Sequence, residues 1–248
     1  MIRLKSVTLH YGGDDVVREI DLHVRPGETK VVLGPSGVGK STILKAILGL
    51  LKPEQGEIYV QNREISKLPE RELVRVRLGM AMVFQHGALF DSMTVGQNVS
   101  YRLREHHMMN EEAISERVQE VLKFVGLEVA ANLRPAQLSG GMKKRVAIAR
   151  ALAPNPEIFL FDEPTVGLDP VNAYNVEQLI LKLKARRVTL IIVTHDVQSA
   201  LRLADSIAML HQGKFIFGGT PEELKRSSDN RVRAFLDPSS AGASDSFG

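Results

Sequence analysis

Residues 34–42 read GPSGVGKST, which places Gly34, Gly39, Lys40 and Ser41 at the spacing G-x-x-x-x-G-K-S. That spacing describes a phosphate-gripping loop. Glycines at 34, 37 and 39 let backbone N–H groups converge on phosphate oxygens without side-chain obstruction. Lys40 can reach the β- and γ-phosphates of a triphosphate, and the Ser41 hydroxyl can ligate Mg²⁺. Charge-assisted hydrogen bonds contribute about 1.5–3 kcal/mol each. Pro35, Ser36, Val38 and Thr42 complete the stretch expected to surround the phosphates.

Two further segments end in side chains suited to the same chemistry. IFLFDE at 158–163 is an apolar run closing on two acids. Asp162 at such a strand end can hold Mg²⁺, and Glu163, where the chain turns, can aim at an attacking water. Standing alone the pair is also a solvated acidic turn; the phosphate loop favours the functional reading. VTLIIVTHD at 188–196 is another apolar run, and it ends on His195. Parallel sheets present functional groups at the carboxyl ends of their strands, so His195 is expected to contact the γ-phosphate. A second anion grip occurs at 137–152, QLSGGMKKRVAIARAL, where Ser139 stands at the N-cap of a basic amphipathic helix. Its first turn points unpaired N–H groups and the positive helix end the same way.

These residues need strands and helices to hold them. TKVVLG at 29–34 predicts a buried strand feeding the loop, and STILKAILGLL predicts a helix stopping near Lys52–Pro53. Residues 1–33 alternate like antiparallel strands, with turns at 12–13 and 26–27, and residues 56–68 predict a short strand pair. From about 70 to 150 the texture is helical, with a clear amphipathic helix over EEAISERVQEVLKFVGL. Strands 158–164 and 188–196 then alternate with helices over 172–186 and 197–204. A hairpin, SIAMLHQGKFIFGG, follows, and TPEELK begins a helix capped by Thr220 with Pro221 and Glu223. Alternating strands and helices imply a mainly parallel sheet covered on both faces. The expectation is an α/β fold with an antiparallel β subdomain and an α-helical subdomain inserted at about 86–150. The polar segment after 225 is expected to fray, although Val232, Phe235 and Leu236 are spaced to dock on a neighbour.

Bulk properties narrow the classes. The 248 residues are 44% hydrophobic and 25% charged, ordinary for a globular protein with a sizeable core. Net charge is +3 with Lys and Arg spread rather than blocked, so nucleic acid is not the expected partner. The absence of cysteine removes disulfide and thiol chemistry. No apolar run approaches the ~18 residues of a membrane helix, so any membrane process would need another polypeptide to span. The adjacent histidines of HHMM at 106–109 read as surface rather than as a metal site.

The set GPSGVGKS, VFQ (83–85), LSGGM, LFDEP, GLD and the final TH resembles, in order and spacing, the ATPase subunit of ABC transporters over about residues 1–220. The resemblance implies a P-loop NTPase core, ATP and Mg²⁺ as cofactors, and a head-to-tail homodimer in which one chain's phosphate loop and the other's signature turn close on one ATP. It implies that Tyr11 stacks on adenine and that Gln85 senses Mg²⁺ and the water. It also implies that Ser139, Gly140 and Gly141 form the signature loop and that Asp169 lies in the loop crossing the dimer. Met142 departs from the family's common Gln. LSGGM together with FQHGALFDSMTVGQNV at 84–99 is similar to the Mla-type subfamily, which moves phospholipid between bacterial membranes with MCE-domain proteins. That similarity implies an integral permease partner, a small accessory subunit and a place on the cytoplasmic face of the inner membrane. The segment GALFDSMTV follows the Gln85 loop, where ABC ATPases receive a coupling helix from the membrane subunit. The family resemblance therefore implies a docking groove at Leu89, Phe90 and Met93, with ordinary core packing as the alternative reading. A cassette importing a polar solute, a soluble cassette acting on nucleic acid or the ribosome, and a nucleotide-gated scaffold remain the alternatives.

Overall fold

A computed structural model describes residues 1–12 and 14–237. In chain order the elements are β1 (Ile2–Tyr11), β2 (Asp14–Val24), β3 (Thr29–Leu33), α1 (Lys40–Ile47), β4 (Gln55–Val60) and β5 (Arg63–Glu64). Next come α2 (Glu70–Leu78), β6 (Met80–Val83), α3 (Val95–Glu105), α4 (Glu111–Phe124), α5 (Gly140–Leu152), β7 (Ile158–Asp162) and α6 (Pro170–Ala185). The last elements among the described residues are β8 (Thr189–Thr194), α7 (Val197–Leu203), β9 (Ser206–His211), β10 (Lys214–Gly219), α8 (Pro221–Lys225) and α9 (Asn230–Leu236). Contacts divide it into two compact units: Met1–Leu68 with the chain from Val193 on, and Pro69–Ile192.

In the first unit β2-β1-β4-β5 form an antiparallel sheet. The apolar alternation of β1 changes phase: Ile2 and Leu4 are buried, then Val7 and Leu9. A bulge at Ser6, with φ 45°, makes the switch, and the pairing steps from Leu4–Leu22 to Val7–Ile20 across it. A second sheet runs β10-β9-β3, with β9 parallel to β3 and antiparallel to β10. Helix α1 ends sooner than the apolar spacing predicts. Gly49, at φ 65°, donates to the Ala46 carbonyl and Leu50 donates to Lys45, a hydrogen-bond pair that closes a helix end. The Thr220–Glu223 capping box of α8 forms as the sequence indicates.

In the second unit β7 is buried along its whole length, with Phe159 and Phe161 stacked at 5.8 Å between centroids. It pairs in parallel with β6. That strand corrects the helical reading of 70–150: MAMV is too short, and too rich in helix-tolerant residues, to announce a strand. Burial beside β7 decides it, since apolar area removed from water contributes about 25 cal/mol per Å². Helices α3, α4 and α5 follow. In α4 the buried residues Ile114, Val118, Val121 and Leu122 mark one face, and the Asn110 side chain accepts the Ala113 N–H at the start. In α3 the Thr94–Gln97 capping box closes the first turn.

The C-terminal segment also departs from expectation. Residues 230–236 form α9, with Val232 fully buried and the Asp229 carboxylate accepting the Arg231 N–H as cap. The rest of the segment expected to fray, residues 238–248, lies outside the described residues. Among the described residues no helix is long and apolar enough to cross a membrane.

Candidate functional site

In the first unit β3 delivers the chain from Leu33 into the glycine loop. The Gly34 N–H donates to the Thr194 carbonyl at 3.3 Å, so the loop begins beside the carboxyl end of β8. Gly39 occupies the N-cap of α1 at φ 105°, where a Cβ would lie 2.7 Å from Val16 Cγ1. Only glycine fits both the dihedral and the space. No side chain caps α1 and its first turn carries no acid, so its positive end remains for an anion. Lys40 is buried, and its ammonium donates to the Gly34 and Pro35 carbonyls at 2.9 and 2.8 Å. Ser36 and Gly37 are exposed at the loop tip, Pro35, Val38 and Ser41 are half-buried, and Thr42 is buried.

His195 is exposed directly after β8. Asp196 then caps α7, accepting from the Gln198 N–H at 2.9 Å, the Ser199 N–H at 3.3 Å and the Ser199 hydroxyl at 2.6 Å. Burial works against its ionised form, but the bonds from Ser199 and Gln198, with nearby Arg202, hold its carboxyl below the usual range. Tyr11 ends β1, and its side chain lies outside the described residues.

In the second unit β7 ends at Asp162, and Glu163 follows at φ 45°, both residues 8% exposed. The chain therefore does turn at Glu163. Gln85, half-buried, stands two residues after β6. One side chain joins these segments. The Lys144 ammonium donates to the carbonyls of Gln85 at 2.5 Å, Phe84 at 3.4 Å and Glu163 at 3.4 Å. Burial pushes the Lys144 ammonium down to about 8, while the nearby Asp162 and Glu163 charges act in the opposite direction. Farther along α5, Arg150 donates to the Ala88 and Gly87 carbonyls at 2.7 and 2.8 Å. Sequence reasoning missed both cations. The signal available was two basic residues bracketing a fully buried stretch, Val146–Ala149, on one helix.

The signature turn is built in the same unit. Ser139 is the N-cap of α5 and its hydroxyl accepts the Met142 N–H at 3.3 Å. Because that bond uses the backbone of residue 142, Met in place of Gln leaves the cap intact. Gly141 is buried, and a Cβ there would lie 2.1 Å from Asn172 Oδ1. Asn172 donates its own N–H at 3.0 Å and its side-chain amide at 2.5 Å to the Asp169 carboxylate, the cap of α6. Those Asn172 bonds hold the Asp169 carboxyl below its usual range. Ser139–Gly141 and Asp169 are thus brought together through Asn172, which sequence reasoning did not single out.

The donors expected for Mg²⁺ are Ser41, Gln85 and Asp162. All are hard oxygen donors, and one carboxylate is what Mg²⁺ takes when a nucleotide supplies the remaining oxygens. The residues fit that ion on donor chemistry. His106 and His107 are exposed, and among the described residues no three His, Cys, Asp or Glu side chains gather into a protein-only cage.

Comparison with known proteins gives the family. The family model described as ABC transporter matches residues 17–166. The intermembrane phospholipid transport system ATP-binding protein MlaF of Haemophilus influenzae is 42% identical over 243 residues, 98% of this chain and 92% of that protein. The probable ribonucleotide transport ATP-binding protein mkl of Mycobacterium leprae is 40% identical over 95% of this chain and 68% of its own length. Among solved structures, a dimeric post-hydrolysis state of the ATP-binding cassette MJ0796 bound to ADP and Pi superposes with a TM-score of 0.82. It is 37% identical and covers 89% of this chain and 99% of its own. The chain belongs to the ABC transporter family, as an ATP-binding, ATP-hydrolysing subunit.

Proposed function

We propose that the protein energises phospholipid transport between bacterial membranes, as the ATPase of a permease complex on the cytoplasmic face of the inner membrane. The observation that carries this reading is the match to MlaF at 42% identity over nearly the whole of both chains. Residues 1–220 form the cassette, with the helical subdomain at about 86–150, and the C-terminal segment that begins at 221 carries α8 and α9. Two copies pair head to tail, which explains why one chain carries two helix starts suited to phosphate. Gly34–Thr42 grips one nucleotide, and Ser139–Gly141 of the other copy covers it. Asp169, tied to the signature turn by Asn172, reports across the interface. ATP favours the closed pair because only it offers a γ-phosphate to both grips, and the available work is bounded by that difference in binding.

Lys40 and the loop N–H groups hold the phosphates, and Tyr11 stacks on adenine. Ser41, Gln85 and Asp162 would hold Mg²⁺, which when bound would neutralise phosphate charge. Glu163 takes the proton of the attacking water, and His195 contacts the γ-phosphate. Permease docking falls at Leu89, Phe90 and Met93. Phe90 is 40% exposed, tilted on Tyr101 at 4.7 Å between centroids. Beside it lies a cavity of about 600 Å³ lined by residues including Met93, Gln97, Tyr101 and Arg104. An MCE-domain protein and a small accessory subunit complete the assembly.

The test has two arms. Glu163→Gln is expected to bind ATP normally, to trap a dimer and to hydrolyse about 10²–10⁴-fold more slowly, the contribution of a general base. Normal turnover would remove Glu163 from that role. Co-purification from native membranes, followed by reconstitution, then decides the cargo. Phospholipid-dependent ATPase activity supports the proposal; ribonucleotide-dependent activity favours the second reading, which the similarity to mkl raises.

A further inference from the structure

We propose that Lys144 is a positioning residue for ATP hydrolysis, holding the Gln85 loop and the Glu163 turn in one register through its ammonium. It lies on the helix that starts at the signature turn, five residues after Ser139. Its side chain runs away from that turn into the protein, where only 4% of the residue is exposed. There it donates to three backbone carbonyls from two separate loops: Phe84 and Gln85 from one, and Glu163 from the other.

The two loops have no regular structure to fix them. Gln85 lies beyond the end of β6, and Glu163 beyond the end of β7. Glu163 also adopts φ 45°, a conformation that a non-glycine residue holds only when its surroundings impose it. Its carbonyl otherwise accepts a long bond from the Val166 N–H at 3.4 Å. A buried ammonium has three donors and no acceptor, and must place each on an oxygen. Carbonyls from both loops meet that need, so moving either loop would leave buried charge underpaired. Gln85 and Glu163 therefore share one support, and that support is anchored on the helix whose N-terminus covers the partner's nucleotide. Lys144 touches no substrate; it acts on the aim of two side chains that do.

The inference rests on the roles proposed for Gln85 and Glu163, so Glu163→Gln is measured in parallel. Lys144→Met keeps the length of the stem and removes every donor. Its expected behaviour is a kcat at least tenfold lower, ATP affinity within twofold, and faster backbone hydrogen exchange confined to residues 84–88 and 163–167. A kcat within twofold of the parent overturns the proposal, as does a loss explained by weaker ATP binding or by faster exchange throughout. Should Lys144→Met not fold, Lys144→Arg decides. A kcat above a third of the parent's supports the proposal, and a tenfold loss with unchanged exchange in both loops overturns it. If Glu163→Gln turns over normally, the site assignment fails; if Glu163→Gln is inactive while Lys144→Met is normal, only the positioning role fails.

Discussion

Replacing Asn98 with Ala is expected to loosen the segment that follows Gln85 and to lower stability by about 2–6 kcal/mol, the loss of two buried hydrogen-bond partners at about 1–3 kcal/mol each. Asn98 is fully buried on α3. Its carbonyl oxygen accepts the Phe90 N–H at 2.8 Å, and its amide donates to the carbonyls of Phe90 at 3.1 Å, Met93 at 3.3 Å and Thr94 at 3.0 Å. Two of those carbonyls have backbone donors as well, Met93 to Phe90 and Asn98 to Thr94. Truncation therefore takes a partner from the Phe90 N–H and the Met93 carbonyl above all. For a chain of this size each kcal/mol moves the melting temperature by about 2–4 °C, so the shift is about 4–24 °C. Scanning calorimetry of the nucleotide-free protein reads it. Asn98→Asp keeps the acceptor but turns carboxylate oxygen toward three carbonyls, and is expected to lose more. Because the pinned segment is the proposed docking site, permease-stimulated ATPase activity should fall further than the activity of the isolated cassette. A melting shift under 2 °C for Asn98→Ala, or an Asn98→Asp protein as stable as the parent, would refute the reasoning.

Lys40→Ala should weaken ATP binding at least tenfold by titration calorimetry, since a charged hydrogen bond contributes about 1.5–3 kcal/mol; unchanged affinity counts against the phosphate-loop assignment. Gly141→Ala drives a Cβ into Asn172 and should disturb both the signature turn and the Asp169 cap. Adding Asn172→Ala should recover part of the loss, with a coupling of about 0.5–3 kcal/mol between the two sites; strict additivity of their melting shifts would contradict the contact. Asp196→Ala should cost about 0.5–2 kcal/mol through loss of the α7 cap. The folded carboxyl of Asp196 lies below its unfolded value, so its contribution is complete above about pH 4 and disappears as pH falls through the folded value. The gap in melting temperature between parent and variant should stay constant from pH 5 to 8 and close in acid; a gap that widens in acid would reverse the sign of the argument.

What the sequence determined by itself was local. Four backbone-directed motifs depend on residues within a few positions of each other: GPSGVGKS, the Ser139 cap, the Thr220–Glu223 box and the hairpin after Ser206. Their chemistry is carried by dihedral preference and by hydrogen bonds spanning about one helical turn or one tight turn, so composition and spacing suffice to read them. The apolar runs of β3, β7 and β8 were equally legible, because a strand buried on both faces is written as an unbroken apolar stretch.

The tertiary structure decided what depends on partners distant in sequence. MAMV becomes β6 because β7, nearly eighty residues later, offers it a parallel edge. Residues 230–236 form α9, with Val232 fully buried and Asp229 as cap, in a segment whose polar composition suggested fraying. Lys144 looks like one more charge on a basic helix until its ammonium is seen to meet carbonyls 59 and 19 residues away. Asn172 likewise gains meaning only when Gly141 packs against it. A local motif states which atoms can do the chemistry, but their aim is set by packing and long-range hydrogen bonds, whose geometry exists only once the chain has folded.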